Sequence, residues 1–287
     1  MTRVVATPVT ATATATATRP RCAARRRERR LRRRARGATR ATATRTRAKA
    51  RDTEEALFES TYATRDRDYA LDIAERSHAT RARACGDEWF YGELSYGDAR
   101  RVLRRAARVV GWDADADEET RTRTTTTTTT TTDGEFVDLG SGMGKMVTCA
   151  ALTGLFARSR GVELLPELHD EASAALETFY ERVRDAGMSV ECSISLSLGN
   201  LLTFDVSNAD VIYIHATCFT PELLHATAMK LANECKSGTR VLIMSKQLPE
   251  GWVFEAFDGG YMALAQPQTH WKLDCWMYEV RRGSSSS

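Results

Sequence analysis

Three glycines at alternate positions, Gly140, Gly142 and Gly144, follow Asp138 in "FVDLGSGMGK", and Glu163 closes the apolar stretch "GVEL" further on. Alternating glycines let a chain turn tightly and let a ligand lie against the peptide plane, and a helix starting just behind them offers unpaired N–H groups. An acid about twenty residues beyond such a loop can accept both hydroxyls of a ribose, which suits a nucleoside. The spacing separates the possible ligands. Dinucleotide sites read G-x-G-x-x-G, whereas this loop reads G-x-G-x-G, and phosphate-loop NTPases need a Ser or Thr after the lysine, where Lys145 is followed by Met146. Neither phosphate motif fits, although Glu163 by itself would also suit NAD.

Further candidates lie downstream. Asn200, in "LGNLLTF", is placed to sit beside a base, or is a turn residue of the kind loops favour. His215 closes "DVIYIH", where a strand-end imidazole faces a cleft or simply completes the core. Phe219, Trp271 and Trp276 are candidates for an apolar channel that would lower the pKa of an entering amine, with core packing as the alternative for the tryptophans.

These residues need a scaffold that brings strand ends together. After Asp133 the pattern alternates, with strands expected at 136–139, 161–164, 190–195, 211–215 and 240–245 and helices at 145–156, 166–186 and 221–233. Two late apolar stretches, 261–265 and 275–280, complete the set. Such alternation predicts an α/β fold with a mostly parallel sheet of seven strands flanked by helices and ligands at the strands' carboxyl ends. Ahead of it, apolar residues among charges from Thr53 to about Arg83 predict one or two amphipathic helices, and Val102, Leu103, Ala106, Val109 and Val110 predict another over 98–110.

The chain divides by composition. Residues 1–51 are almost entirely Ala, Thr and Arg and hold 17 basic residues against one acid, Glu28, so they carry +16 and the remaining 24 basic and 37 acidic residues carry −13. A segment of this composition cannot offset its ordering entropy and is expected to be disordered. It reads as an organelle transit peptide, as an arm for nucleic acid or nuclear import, or as biased sequence without a role. The expected organisation is therefore a basic arm over 1–51, a helical segment over 52–112, a threonine-rich linker over 113–133 that includes nine threonines in a row, and a ligand-binding domain over 134–282. The seven cysteines form no CxxC pair and no zinc spacing, as expected of reduced thiols in an intracellular protein. No apolar run reaches membrane-span length and no secretory leader is visible, so a soluble protein without membrane partners is expected.

Taken together, the motifs resemble two nested families. "DLGSGMG" is similar to the first motif of the Rossmann-like S-adenosylmethionine (SAM) methyltransferases. "EWFYGEL" (88–94), "FVDLGSGMGKMV", "GVEL", "VIYIHATCFTPEL" and "RVLIMSKQLP" resemble, in order, segments of the disruptor-of-telomeric-silencing family, the histone H3 lysine methyltransferases that lack a SET domain. The likeness covers about 88–282. It implies SAM as cofactor, with Tyr91 and Glu93 on a lid segment, Asp138, Gly140 and Gly142 holding the methionine portion, Gly144 completing the loop, Glu163 on the ribose, and Asn200 and Leu201 by the adenine. It also implies transfer to a lysine amine of histone H3 in the nucleosome, in the nucleus, with the basic arm on DNA. Several positions depart from the family pattern. Asn200 stands for Asp, Leu201 for Phe, His215 and Ala216 for a pair of asparagines, and Lys145 for Gln, while "HWKLDCWMYEV" matches the channel segment loosely. The competing expectations are an organellar methyltransferase of the same fold acting on another substrate, with the arm as a chloroplast or mitochondrial transit peptide, and a catalytically silent SAM-binding module.

Overall fold

The computed structural model describes residues 53–81, 93–107, 134–249, 253–265 and 272–282. The arm, the threonine run, Tyr91 and Trp271 lie outside these residues.

Seven strands form one sheet in the order β3-β2-β1-β4-β5-β7-β6: β1 (Glu135–Leu139), β2 (Arg158–Glu163), β3 (Ser193–Leu198), β4 (Val211–His215), β5 (Arg240–Met244), β6 (Phe254–Ala265) and β7 (Lys272–Val280). β1 to β5 run parallel, and β7 enters antiparallel between β5 and β6. This is the Rossmann-like, mostly parallel architecture expected of a SAM methyltransferase. The central strands are apolar throughout because helices cover both faces, and their side chains alternate between two cores. Phe136, Val211, Tyr213, Leu242 and Met244 face one core, while Val137, Leu139, Ile212, Ile214, Val241 and Ile243 face the other. Asp138 and His215 fall on the parity of Phe136 and Tyr213, which aims both to the same side.

The first core is shared with the amino-terminal helices. Helix α1 (53–62) contributes Leu57, Phe58 and Tyr62, and α3 (Tyr96–Ala106) contributes its buried stripe Tyr96, Ala99, Val102, Leu103 and Ala106. Ser95 caps α3 by accepting the Asp98 N–H at 3.1 Å. Helix α2 (Arg67–Arg81) sets Ala70 and Ala74 against Met143, Leu165 and Leu168. The remaining helices are α4 (Lys145–Leu152), α5 (Pro166–Asp185) and α6 (Pro221–Glu234), with a short 3-10 turn at Ala216–Cys218. Among the described residues no helix is long and apolar enough to cross a membrane.

α3 starts at Tyr96 and β7 at Lys272, both earlier than the sequence expectation, and four further boundaries differ for a local reason. α4 ends at Leu152 and not Phe156, since Gly154 (φ 64°) turns the chain and Phe156 packs on Phe136 at 5.6 Å between ring centroids. β2 begins three residues early because Arg158 and Arg160 pair with the buried Glu135. β3 slides to 193–198, its register fixed by Arg158 opposite Ser193. β6 starts at Phe254, and an irregularity between Ala256 and Tyr261 holds Asp258, Gly259 and Gly260 at positive φ, which breaks its alternation.

Candidate cofactor and acceptor site

Strand order reverses at β1 and β4, and a cavity of about 440 Å³ opens at the carboxyl ends of these strands, within the size range of small-molecule sites. The glycine loop forms its floor. Gly140, Gly142 and Gly144 have φ of 89°, 50° and 76°, backbone that side-chain-bearing residues rarely adopt. A Cβ on Gly140 would meet nothing within 4 Å. Glycine is therefore demanded there by conformation, and the space beside the peptide stays open. Gly140 and Ser141 both donate N–H to the Val162 carbonyl at 2.9 Å, which ties the loop to β2. Gly144 lies off the cavity, at the start of α4, where a Cβ would touch Ala172 and Leu196.

Beside this loop sit two carboxyl groups. Glu163, buried at the end of β2, accepts the Gly142 N–H at 2.8 Å and the Leu165 N–H at 2.9 Å, one on each oxygen. Burial raises its pKa, and the amides of Leu165, Gly142 and Leu164 oppose the rise. Each oxygen keeps a lone pair for a further donor. Asp138 is 2% exposed, and its Oδ1 has no hydrogen-bond partner. Burial, then the charge of Glu163, holds its pKa well above the ordinary carboxylate value. A buried polar atom left unpaired costs free energy that a bound donor would recover.

Glu93 also lines the cavity, and both its oxygens lie 2.7 Å from Lys145 Nζ at the first turn of α4. Tyr62 places its ring 5.3 Å under the same ammonium. Lys145 thus ties Glu93 to the start of α4 behind the glycine loop. On the other rim, Asn200 is exposed and its Oδ1 accepts the Leu202 N–H at 2.9 Å, so the side chain shapes its own turn, with Leu201 and Leu202 lining the cavity beside it.

At the acceptor end, His215 lines the cavity with Tyr213 and Phe219. Its Nδ1 is 3.1 Å from Thr217 Oγ1, and its Nε2 is buried without a hydrogen-bond partner. Burial pushes the imidazole down to about 4, so the ring is neutral near pH 7. Phe219 is fixed by Lys246, which donates to its carbonyl oxygen. Trp276 is not among the cavity's lining residues. It sits on β7 opposite Ile243, with its ring 5.0 Å from that of Tyr261.

The structure thus brings together Glu93, Asp138, Gly140, Gly142, Glu163, Asn200, Leu201, His215 and Phe219 around one cavity, and leaves Gly144 and Trp276 outside its lining. Sequence reasoning missed the apolar wall supplied by the amino-terminal helices, Phe58, Leu71, Ala74 and Ala99. It also missed the partnership of Thr217 with Ser245. No local signal marks the helical wall, because it depends on how the helices dock.

A family model described as histone methylation protein DOT1 matches residues 119–254. The chain is 29% identical over 156 residues to the "Histone-lysine N-methyltransferase, H3 lysine-79 specific" of Dictyostelium discoideum, covering 53% of this chain and 8% of that protein. The chain therefore spans less than a tenth of that relative's length. Among solved structures, an RNA methyltransferase from Salinibacter ruber in complex with S-adenosyl-L-homocysteine aligns with 54% of this chain and 85% of its own, at 19% identity and a TM-score of 0.38. The tRNA methyltransferase TrmK of B. subtilis aligns with 67% of this chain and 68% of its own, at 12% identity and a TM-score of 0.38. The family match spans the glycine loop, both carboxylates and His215.

Proposed function

We propose that this chain is a SAM-dependent protein-lysine methyltransferase of the non-SET type, with a lysine of histone H3 in the nucleosome as acceptor and the nucleus as its place of action. The observation that carries the reading is the unpaired, buried Asp138 oxygen beside Glu163 at the glycine loop. The residues present fit this cofactor. Asp138 offers an acceptor to an ammonium group, Glu163 retains lone pairs for ribose hydroxyls, and open space stands beside the Gly140 peptide. When bound, SAM supplies an electrophilic methyl group on a sulfonium.

The chain's own part is orientation and desolvation, and oriented encounter contributes about 7–11 kcal/mol to such displacements. The acceptor must arrive as a neutral amine. A free lysine has a pKa of about 10.4, so deprotonation near pH 8 costs about 3 kcal/mol. The apolar wall of Phe219 and Tyr213 lowers that cost by disfavouring the ammonium. The DOT1 family match and the histone H3 specificity named for the Dictyostelium relative support the choice of acceptor.

The test is incubation of the purified chain with methyl-labelled SAM and, separately, nucleosomes, free histones and organelle extract, with mapping of the labelled residue. Label on a histone H3 lysine is expected, strongest in nucleosomes. Calorimetric binding of NAD without binding of SAM or its demethylated product would overturn the reading. Label confined to organelle protein, together with a cleaved arm, would replace it with the organellar alternative, for which the arginine- and threonine-rich, acid-poor composition of residues 1–51 speaks.

A further inference from the structure

Methylating a lysine releases one proton per turnover, because the acceptor enters as an ammonium and leaves as a methylated ammonium. The acceptor end, walled by Tyr213 and Phe219, needs a way out for it. The structure holds one continuous set of exchangeable groups leading from the acceptor end of the cavity to solvent. His215 lines the cavity and keeps Nε2 buried and unpartnered. Its Nδ1 meets Thr217 Oγ1 at 3.1 Å, and Thr217 Oγ1 meets Ser245 Oγ at 2.8 Å. Ser245 is exposed.

The backbone is arranged to close this chain. Thr217 is carried by the 3-10 turn directly after β4, and Ser245 follows β5, which is paired in parallel with β4 at His215 and Met244. Ser245 adopts φ 68°, a left-handed conformation unusual for a residue with a side chain, and its N–H donates to the Asp274 carbonyl at 2.8 Å. Such strain persists only where surrounding contacts hold it, and it gathers at functional sites. Here the strained residue is the one whose hydroxyl completes the connection.

We propose that His215, Thr217 and Ser245 form a proton exit for the methyl acceptor: Nε2 takes a proton from the substrate ammonium while Nδ1 passes its own to Thr217, and Ser245 delivers one to water. The proposal rests on the reading of the acceptor as a lysine amine. The balance closes. One N–H bond of the ammonium breaks and one forms at Nε2; the Nδ1–H bond breaks as Thr217 gains a proton and hands its own to Ser245, which releases one to solvent. Each hydroxyl ends as it began, and the ring ends in its other tautomer, to be reset when product leaves and water enters. An imidazole whose Nε2 is shut off from water is a poor resting base, and concerted passage avoids building the imidazolium.

The experiment uses the full chain and the variants Thr217→Val, Thr217→Ser and Ser245→Ala. In the SAM-free protein, long-range nitrogen NMR should show the neutral His215 ring with its proton on Nδ1, and Thr217→Val should shift that tautomer balance. With histone substrate, Thr217→Val should lower kcat at least tenfold, within the range of general acid–base effects, while KM for SAM stays within twofold. Thr217→Ser should restore kcat, and Ser245→Ala should lower it several-fold. A wild-type ring carrying its proton on Nε2, or a folded Thr217→Val protein with kcat within twofold of wild type, would sink the exit and leave the functional reading standing. Absence of methyl transfer by the wild-type chain to any lysine would sink both.

Discussion

At the scale of single residues, Asp138 is a polar group kept at the expense of stability, which the proposed function explains as a place for the cofactor's ammonium. Its carboxyl is buried beside Glu163 with one oxygen unpaired, and burial raises its pKa well above the unfolded value. The sign follows from linkage. A raised folded pKa means that the native state binds the proton more tightly than the unfolded chain, so there is no penalty below the unfolded pKa of about 3.9 and the penalty grows as pH rises toward the folded value. Asp138→Asn should therefore raise the Tm of the SAM-free protein at neutral pH, by about 2–4 °C for each kcal/mol recovered in a domain of this size. The gain should shrink steadily as pH is lowered toward 4. The same variant should weaken SAM binding in calorimetry, because the amide offers no anionic acceptor to an ammonium. A Tm unchanged at pH 7.5 would mean that the carboxyl is not destabilising the native state.

At the scale of elements, the glycine loop, the strand ends and the helices behind them were legible because backbone conformation and apolar runs leave strong local marks. Asp138, Glu163 and His215 reach the cavity from the carboxyl ends of β1, β2 and β4, and Gly140 from the turn after β1. Less legible was whatever depends on pairing between distant segments. The charged start of β2 looked like loop until Arg158 and Arg160 met Glu135, and Thr217 had no visible purpose until Ser245 came beside it. Trp276 reads in sequence as a channel aromatic or as core, and only its placement on β7 against Tyr261 takes it off the cavity wall. One glycine escaped notice for the same reason. A Cβ on Gly161, within β2, would lie 2.8 Å from Ser141 Cβ and Oγ and from Val147 Cγ2. Strand β2 can pass under the glycine loop and α4 only without a side chain there. Gly161→Ala should cost about 1–3 kcal/mol in urea denaturation, as overpacking does, and weaken SAM binding by displacing the loop. Gly199→Ala is the control, since its Cβ would meet only Val162 Cγ2 at an ordinary 3.6 Å. Equal stability of the two variants would refute the close-approach argument.

At the scale of the whole molecule, the charges divide in a way that a nucleosomal substrate makes consequential. Residues 52–287 carry 24 basic against 37 acidic residues, and a net −13 body is repelled by the polyanionic surface of DNA. Residues 1–51 carry 17 basic residues against one acid. Binding through such an arm releases counterions from DNA, with a logarithmic salt slope of about −0.9 for each phosphate neutralised. Nucleosome affinity of the intact chain should therefore fall steeply between low and physiological salt. Deleting residues 1–51 should remove most of that slope and weaken binding by at least tenfold at low salt. Methylation of a free histone H3 substrate, which needs the cavity but not the DNA, should change less than twofold. The contrast between the two substrates isolates the arm, since damage to the catalytic domain would lower both. Truncated protein that binds nucleosomes with the same salt slope as the intact chain would place the DNA contact on the acidic body and leave the arm free for another role.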